Sequence, residues 1–379
     1  MPAGSARVRM AQNNLMYRSW AVAALILSGT IIGAGMFGLP YAFSRVGVQF
    51  SALFVLFLAA FLAVLHIAYG LIALYTPGDH RLPGYARIYL GERSFPLVLC
   101  VNMLSLVGGL VVYIALAYTF VSHFVLSPVA TYAIVVAVFA LPALFGLKAF
   151  EGLEWTITLC MVALILVIFG FGATRVGTES ARIGQLSDIA LLYGVGLFAL
   201  YGASVIPELK KYFTSVRSVV AITTVGTALP ALLYIAFSLG IVGLSGGVPS
   251  QDALSAVAGM PWIKSAGAAL GFLAVTTSYW AIAANLTHMI TYDLRIPRMI
   301  SVGTVLIAPF GLYAAVHAGF IDMIGFVGSV ALSLEALAIV GITVIVRRKT
   351  PEVAAALSLP ALIGTGMLFA TGFLYYALS

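Results

Sequence analysis

From residue 48 to residue 75 the sequence contains no Asp, Glu, Lys or Arg, and it holds many runs of this kind. A helix needs about 20 predominantly apolar residues to cross the hydrocarbon core of a bilayer. Marking off such runs at clusters of charges and turn residues gives eleven candidate spans: 20–44, 48–75, 95–126, 129–146, 152–173, 188–208, 217–244, 262–292, 299–316, 320–346 and 353–378. Only 8% of residues are charged and 62% are hydrophobic, whereas roughly a quarter of a soluble domain is charged. A soluble globular fold and a disordered chain are both excluded. The expectation is an all-α, multi-pass membrane protein forming one transmembrane domain over 1–379. No stretch between the runs has room for a soluble domain. The first run follows Arg7, Arg9 and Arg18 in the manner of a signal peptide, but it is too long and lacks a convincing cleavage site.

Charge placement then orients the chain. With a cytoplasmic N-terminus, every Lys and Arg except Arg45, Arg175, Arg182 and Lys264 falls on the cytoplasmic side, as the positive-inside rule requires. The expected placement is therefore the plasma or inner membrane, with the N-terminus cytoplasmic and the C-terminus extracytoplasmic. Topology accounts for the net charge of +7, and no nucleic-acid partner is needed. Cys100 and Cys160 lie inside apolar runs and suggest neither a disulfide nor a metal site. The five histidines show no metal-binding spacing, so an enzyme is not expected.

Two spans are hard to reconcile with unbroken helices. The first reads Gly29-Thr30-Ile31-Ile32-Gly33-Ala34-Gly35-Met36-Phe37-Gly38-Leu39-Pro40. The sixth carries Tyr193-Gly194-Val195-Gly196, then Tyr201-Gly202 and Pro207-Glu208. Each glycine costs about 1 kcal/mol relative to alanine inside a helix, and proline removes a donor. The two segments are five spans apart. The expected layout is thus two repeats of five, over 20–174 and 188–346, of opposite orientation, with an additional helix at 353–378. Paired breaks in corresponding spans point to the binding site of a secondary transporter, because backbone groups freed inside the bilayer need a ligand, water or protein partner. Gly33, Gly35 and Gly38 also spell G-x-G-x-x-G, but without the strand and helix of a dinucleotide fold.

The segment 29–40 resembles the first helix of the bacterial hydroxy and aromatic amino acid permeases. The segment 193–208 is similar to the sixth helix of the amino acid/auxin permease family, a branch of the amino acid/polyamine/organocation transporters with the LeuT-type fold. The resemblance implies a monomeric, ion-coupled amino acid symporter working by alternating access, with a neutral amino acid as its partner in the bilayer and no cofactor besides the ion. A channel or a sensor on the same fold is the alternative. In this layout the N–H groups of Ala34 and Gly35 would take the substrate carboxylate, and carbonyls around Ile31, Phe198 and Leu200 its ammonium. Gly33 and Gly35 would admit the substrate backbone, with Gly202 beside the second break and Tyr113 and Tyr201 as pocket walls.

The coupling ion stays open between two candidates. Span eight carries Ala274-Val275-Thr276-Thr277-Ser278. In spacing it resembles the eighth helix of sodium-coupled LeuT-type transporters. The resemblance implies a sodium site of the Ala274 carbonyl and the Thr277 and Ser278 hydroxyls, facing carbonyls of Gly29 and Ile32. Hydroxyls in a helix also bond back to their own carbonyls. The proton is the alternative. Glu335, in the middle of span ten, is a candidate proton carrier because ionisable groups inside membranes mark ion pathways. His66 in span two is a second candidate. Sodium is favoured, since span five has no lysine to stand in for it.

Overall fold

The computed structural model describes residues 20–145, 153–176, 185–257, 259–316 and 318–378, and the described chain is helical throughout. Arg7, Arg9, Arg18, Lys148 and Arg182, which contribute to the orientation argument, lie outside the described residues. We number the helices α1 (Trp20–Ile31), α2 (Gly35–Val46), α3 (Val48–Tyr75), α4 (Leu82–Leu90), α5 (Phe95–Ser122), α6 (Pro128–Phe145), α7 (Leu153–Gly172), α8 (Leu186–Leu200), α9 (Val216–Ser245), α10 (Pro261–His288), α11 (Arg298–Ala315), α12 (Phe320–Phe326), α13 (Ser333–Lys349), α14 (Pro351–Ala356) and α15 (Leu359–Leu378).

Among the described residues nine helices are long and apolar enough to cross a membrane, and the bent pair α1 and α2 makes a tenth. The segment expected as the fourth span, 129–146, is the apolar helix α6, which among the described residues counts as a shorter apolar helix, Pro128–Ala143. With it, the described apolar helices number eleven when the bent pair is taken as one. The last span is also shorter than its apolar run, because Pro351 opens the separate helix α14, and the chain is extended at Leu357 before α15 begins. Between the second and third spans lies α4, whose nine residues sit in a charged connection and give no membrane-length signal.

The first break is a sharp one. α1 and α2 meet at 64° across Ile32, Gly33 and Ala34. Pro40 falls in the second turn of α2, so its missing N–H removes one helical bond. Gly47 closes α2 at φ 109°, a backbone conformation that glycine alone adopts without penalty, and α3 begins directly after it. The second break is milder. α8 ends at Leu200, Tyr201 and Gly202 leave the helix, and a 3-10 helix runs from Ala203 to Tyr212. Ser187–Tyr212 is long and apolar enough to make one span across this interruption, without a bend above 40° such as the first break has.

Small residues let these helices approach closely. Gly35 on α2 lies directly against the backbone of Ala199 on α8. Leu27 of α1 fills the space that a side chain at Gly226 of α9 would need, its Cδ2 standing 2.6 Å from where a Cβ would be. Leu58 of α3 stands in the same way 3.1 Å from such a position at Gly196 of α8. Gly172, closing α7, packs backbone to backbone on Gly240 and Gly243 of α9. Apolar helices in lipid gain little from hydrophobic association with one another, so close van der Waals packing of this kind holds them together. Cys100 and Cys160 are both exposed free thiols.

Candidate substrate and ion site at the two helix breaks

The break in the first span frees backbone groups, and the structure answers some of them from other helices. Ile32 N–H still donates to Ser28 O at 2.8 Å. Gly33 N–H donates to the hydroxyl of Tyr234 on α9 at 3.4 Å, and that hydroxyl donates to Ile31 O at 2.5 Å. It also stands 3.4 Å from Ala199 O, so one phenol touches both broken spans. Among the described residues, the N–H groups of Ala34 and Gly35 meet no protein acceptor. They open α2, where the positive end of the helix dipole adds to their pull on an anion. Ile31, Ile32, Gly33, Ala34 and Gly35 are all buried.

The second break is answered by His66 of α3. Its Nε2 accepts from Gly202 N–H at 3.1 Å, and its Nδ1 lies 2.8 Å from Thr227 Oγ1 on α9. A nitrogen that accepts from an amide carries no proton, so the ring is neutral with its hydrogen on Nδ1, donated to Thr227. Thr227 in turn donates to Thr223 O at 2.8 Å. His66, a candidate proton carrier by sequence, is thus engaged at both nitrogens.

Beside the breaks lies a cavity of about 40 Å³, lined by Ser105, Gly109, Tyr113, Phe198, Tyr201 and Glu335 among others. It has room for one or two waters. Tyr113 and Phe198 meet edge to face, their ring centroids 6.0 Å apart. Glu335 enters from α13, one turn after a π-helical segment, Val327–Leu332, and is 3% exposed. Ser105 donates a hydrogen bond to its Oε2. The Tyr201 hydroxyl in the same cavity is buried and faces the Glu335 carboxyl. The structure therefore brings Tyr113, Phe198, Tyr201 and Glu335 to one place, beside Gly202 and Leu200.

The hydroxyls of α10 divide. Thr276 Oγ1 donates to Phe272 O at 2.7 Å and Thr277 Oγ1 to Ala274 O at 3.0 Å, both within their own helix. Ser278 faces the first break instead: its Oγ stands 2.9 Å from where a Cβ on Gly33 would be. α10 thereby meets the unwound segment at Gly33.

The two ends of the bundle differ. On the side of Arg81, Lys210 and Lys211 a vestibule of about 820 Å³ opens, lined also by Asp79, Glu208, His288, Tyr292 and Asp293. Arg81 and Glu208 form an ion pair across it at 3.2 Å, and Lys210 Nζ donates to Thr76 O at 2.7 Å and Gly78 O at 2.5 Å. Between vestibule and cavity, Asn285 Nδ2 donates to Ser204 O at 2.9 Å. Toward the opposite end Phe37 packs edge to face against Phe120 and Phe237, with centroids 4.7 and 5.8 Å apart.

Tyr234 carries the geometry of the first break, yet sequence reasoning missed it. The available signal was positional: Val48 to His66 and Val216 to Tyr234 are both intervals of 18 residues.

Comparison with known proteins agrees with this architecture. No curated protein matches the sequence. Among solved structures, the chain is similar to the crystal structure of MhsT in complex with L-phenylalanine, with a TM-score of 0.62 and 14% identity, over 95% of this chain and 97% of that one. At this identity the likeness establishes the LeuT-like fold alone. The family described as "Transmembrane amino acid transporter protein" matches residues 16–245, more than half of the chain. The broken first span and the helical membrane architecture thus belong to a member of the transmembrane amino acid transporter family.

Proposed function

We propose that this chain is a sodium-coupled symporter of neutral amino acids that binds its substrate at the two helix breaks. The observation that carries the reading is the pair of buried N–H groups at Ala34 and Gly35, which meet no protein acceptor among the described residues. A carboxylate is the ligand that suits two amides at the positive end of a half-helix. The ammonium then lies toward the carbonyls of Ile31, Phe198 and Leu200, and the side chain toward Tyr113, Tyr201 and the cavity they share with Glu335.

Sodium is assigned to the carbonyls of Gly29, Ile32 and Ala274 with the hydroxyls of Thr277 and Ser278. What supports this is the seating of Ser278 against the unwound segment at Gly33. A hydroxyl that donates to a carbonyl keeps its lone pairs, so the bond from Thr277 to Ala274 is compatible with ligation. Five neutral oxygens suit a hard monovalent cation. The large vestibule and the aromatic packing around Phe37 toward the other end correspond to a conformation open toward the side that charge placement makes cytoplasmic, one of the two states of alternating access.

A second reading has its own observation. Glu335 is nearly excluded from solvent, borders the candidate side-chain cavity and is held by Ser105. In a proton-coupled carrier this carboxyl would be the carrier group. Uptake of labelled amino acids into proteoliposomes, with imposed sodium or proton gradients, tests the two readings together. Uptake driven by sodium at fixed pH supports the first, and uptake that ignores sodium and follows the pH gradient supports the second.

A further inference from the structure

The two breaks are held by one device used twice. Gly33 N–H, in the first break, donates to a side chain on α9, and Gly202 N–H, in the second, donates to a side chain on α3. Gly33 and Gly202 are 169 residues apart, and the residues that hold them, His66 and Tyr234, are 168 apart. The leucine contacts obey the same relation. Leu27 packs on Gly226 and Leu58 packs on Gly196; position 196 lies 169 residues after 27 and position 226 lies 168 after 58, so the two contacts join corresponding positions of the halves, with leucine and glycine exchanged. Each half of the chain thus holds the broken span of the other half.

Both holding residues are fully buried, at 0% exposure. Each also carries a second bond that fixes its own orientation: His66 through Thr227 to the backbone of α9, and Tyr234 to Ile31 O. Together they satisfy two of the amides that unwinding frees and leave those of Ala34 and Gly35 open. The division is what a binding site needs, since backbone in hydrocarbon without any partner is expensive and backbone fully satisfied by protein binds nothing.

We propose that Tyr234 and His66 are equivalent positioning residues, which hold the two unwound segments in the shape that presents Ala34 and Gly35 to the substrate. The proposal rests on the reading of the breaks as the substrate site. Neither side chain is assigned a contact with substrate. A purely structural role would lower stability alone, so the test must read binding.

The experiment measures KM and maximal rate in proteoliposomes for the amino acid that wild-type protein carries best from a panel of the twenty common ones. Tyr234→Phe removes only the hydroxyl. His66→Gln keeps an acceptor near the Nε2 position, whereas His66→Asn keeps a polar group near Nδ1 and withdraws the acceptor from Gly202. We expect KM to rise about tenfold or more in Tyr234→Phe and His66→Asn, with maximal rates changed less and His66→Gln close to wild type. KM within twofold of wild type in both Tyr234→Phe and His66→Asn overturns the proposal, as does a His66→Gln variant no better than His66→Asn. Tyr113→Ala serves as a control on the underlying reading. If it alone raises KM, the site stands and the positioning role falls; if KM is unmoved in all of the variants, the placement of substrate at the breaks falls as well.

Discussion

Gly35 of α2 lies so close to Ala199 of α8 that a single added carbon would meet the Ala199 backbone. The glycine that the sequence marks as room for a substrate is therefore also a point at which the two broken spans touch. Backbone cannot turn aside as a side chain can. Gly35→Ala should wedge the spans apart and cost about 1–3 kcal/mol, the usual range for overpacking. The expected outcome is a lower melting temperature in detergent together with loss of uptake. A variant that melts like wild type and transports normally would contradict the close approach of α2 and α8.

Gly33 makes a different prediction, because its close neighbour is the hydroxyl of Ser278, the far end of a side chain that can rotate. Gly33→Ala should therefore push Ser278 Oγ out of place and leave the fold largely intact. If that oxygen ligates sodium, Gly33→Ala and Ser278→Ala should each raise the sodium concentration for half-maximal uptake by about tenfold, and the double variant should add little more. Additive shifts would mean that the two residues act separately.

The coupling ion is open to a direct measurement. Replacing sodium by choline at fixed pH should abolish concentrative uptake by the wild-type protein, and Thr277→Ala should raise the sodium requirement while leaving substrate affinity at saturating sodium less affected, because ion and substrate occupancy are linked equilibria. Full uptake in choline would transfer coupling to Glu335. In that case Glu335→Gln, which imitates the protonated carboxyl, should uncouple uptake from the pH gradient while retaining exchange.

Orientation is checked from outside the bundle. In a background with Cys100 and Cys160 replaced by serine, Lys211→Cys and Gln251→Cys each place one thiol at an exposed position, on either side of α9 in sequence. An impermeant maleimide should label position 251 on intact cells and position 211 only after permeabilisation. The reverse pattern would invert the topology, and labelling of both from outside would mean that α9 does not span.

The sequence displayed the spans and the sharp first break because both are written in local composition, in apolar runs free of charge and in glycines set close together. Helix α4 was hidden because its nine residues fall in a charged connection with no membrane-length run around them. The second break was expected to mirror the first, yet it opens only at Tyr201 and Gly202, because a 3-10 helix takes up the span again at Ala203. Of the site, Tyr113, Phe198, Tyr201 and Glu335 line one cavity, a grouping that their places on separate spans leave open. Tyr234 and His66 were not legible as a pair. What a single polar residue in an apolar helix bonds to is set by its neighbours in space, and those lie 203 and 136 residues away in the chain. The bond from Thr277 to Ala274 likewise depends on a rotamer that spacing leaves open.

The exchange of holding residues between halves gives the protein an order of assembly. A nascent chain reaches its second break with His66 already in the bilayer, so Gly202 can be held as soon as it is inserted. Its first break has no such helper, because Ile31 must wait for Tyr234 to be synthesised. Until then the exposed carbonyls and amides of residues 31–35 depend on water, lipid headgroups or the insertion machinery. A chain truncated before α9 would carry that kink uncapped, and the first half of this transporter is accordingly the half that needs its successor in order to settle in the membrane.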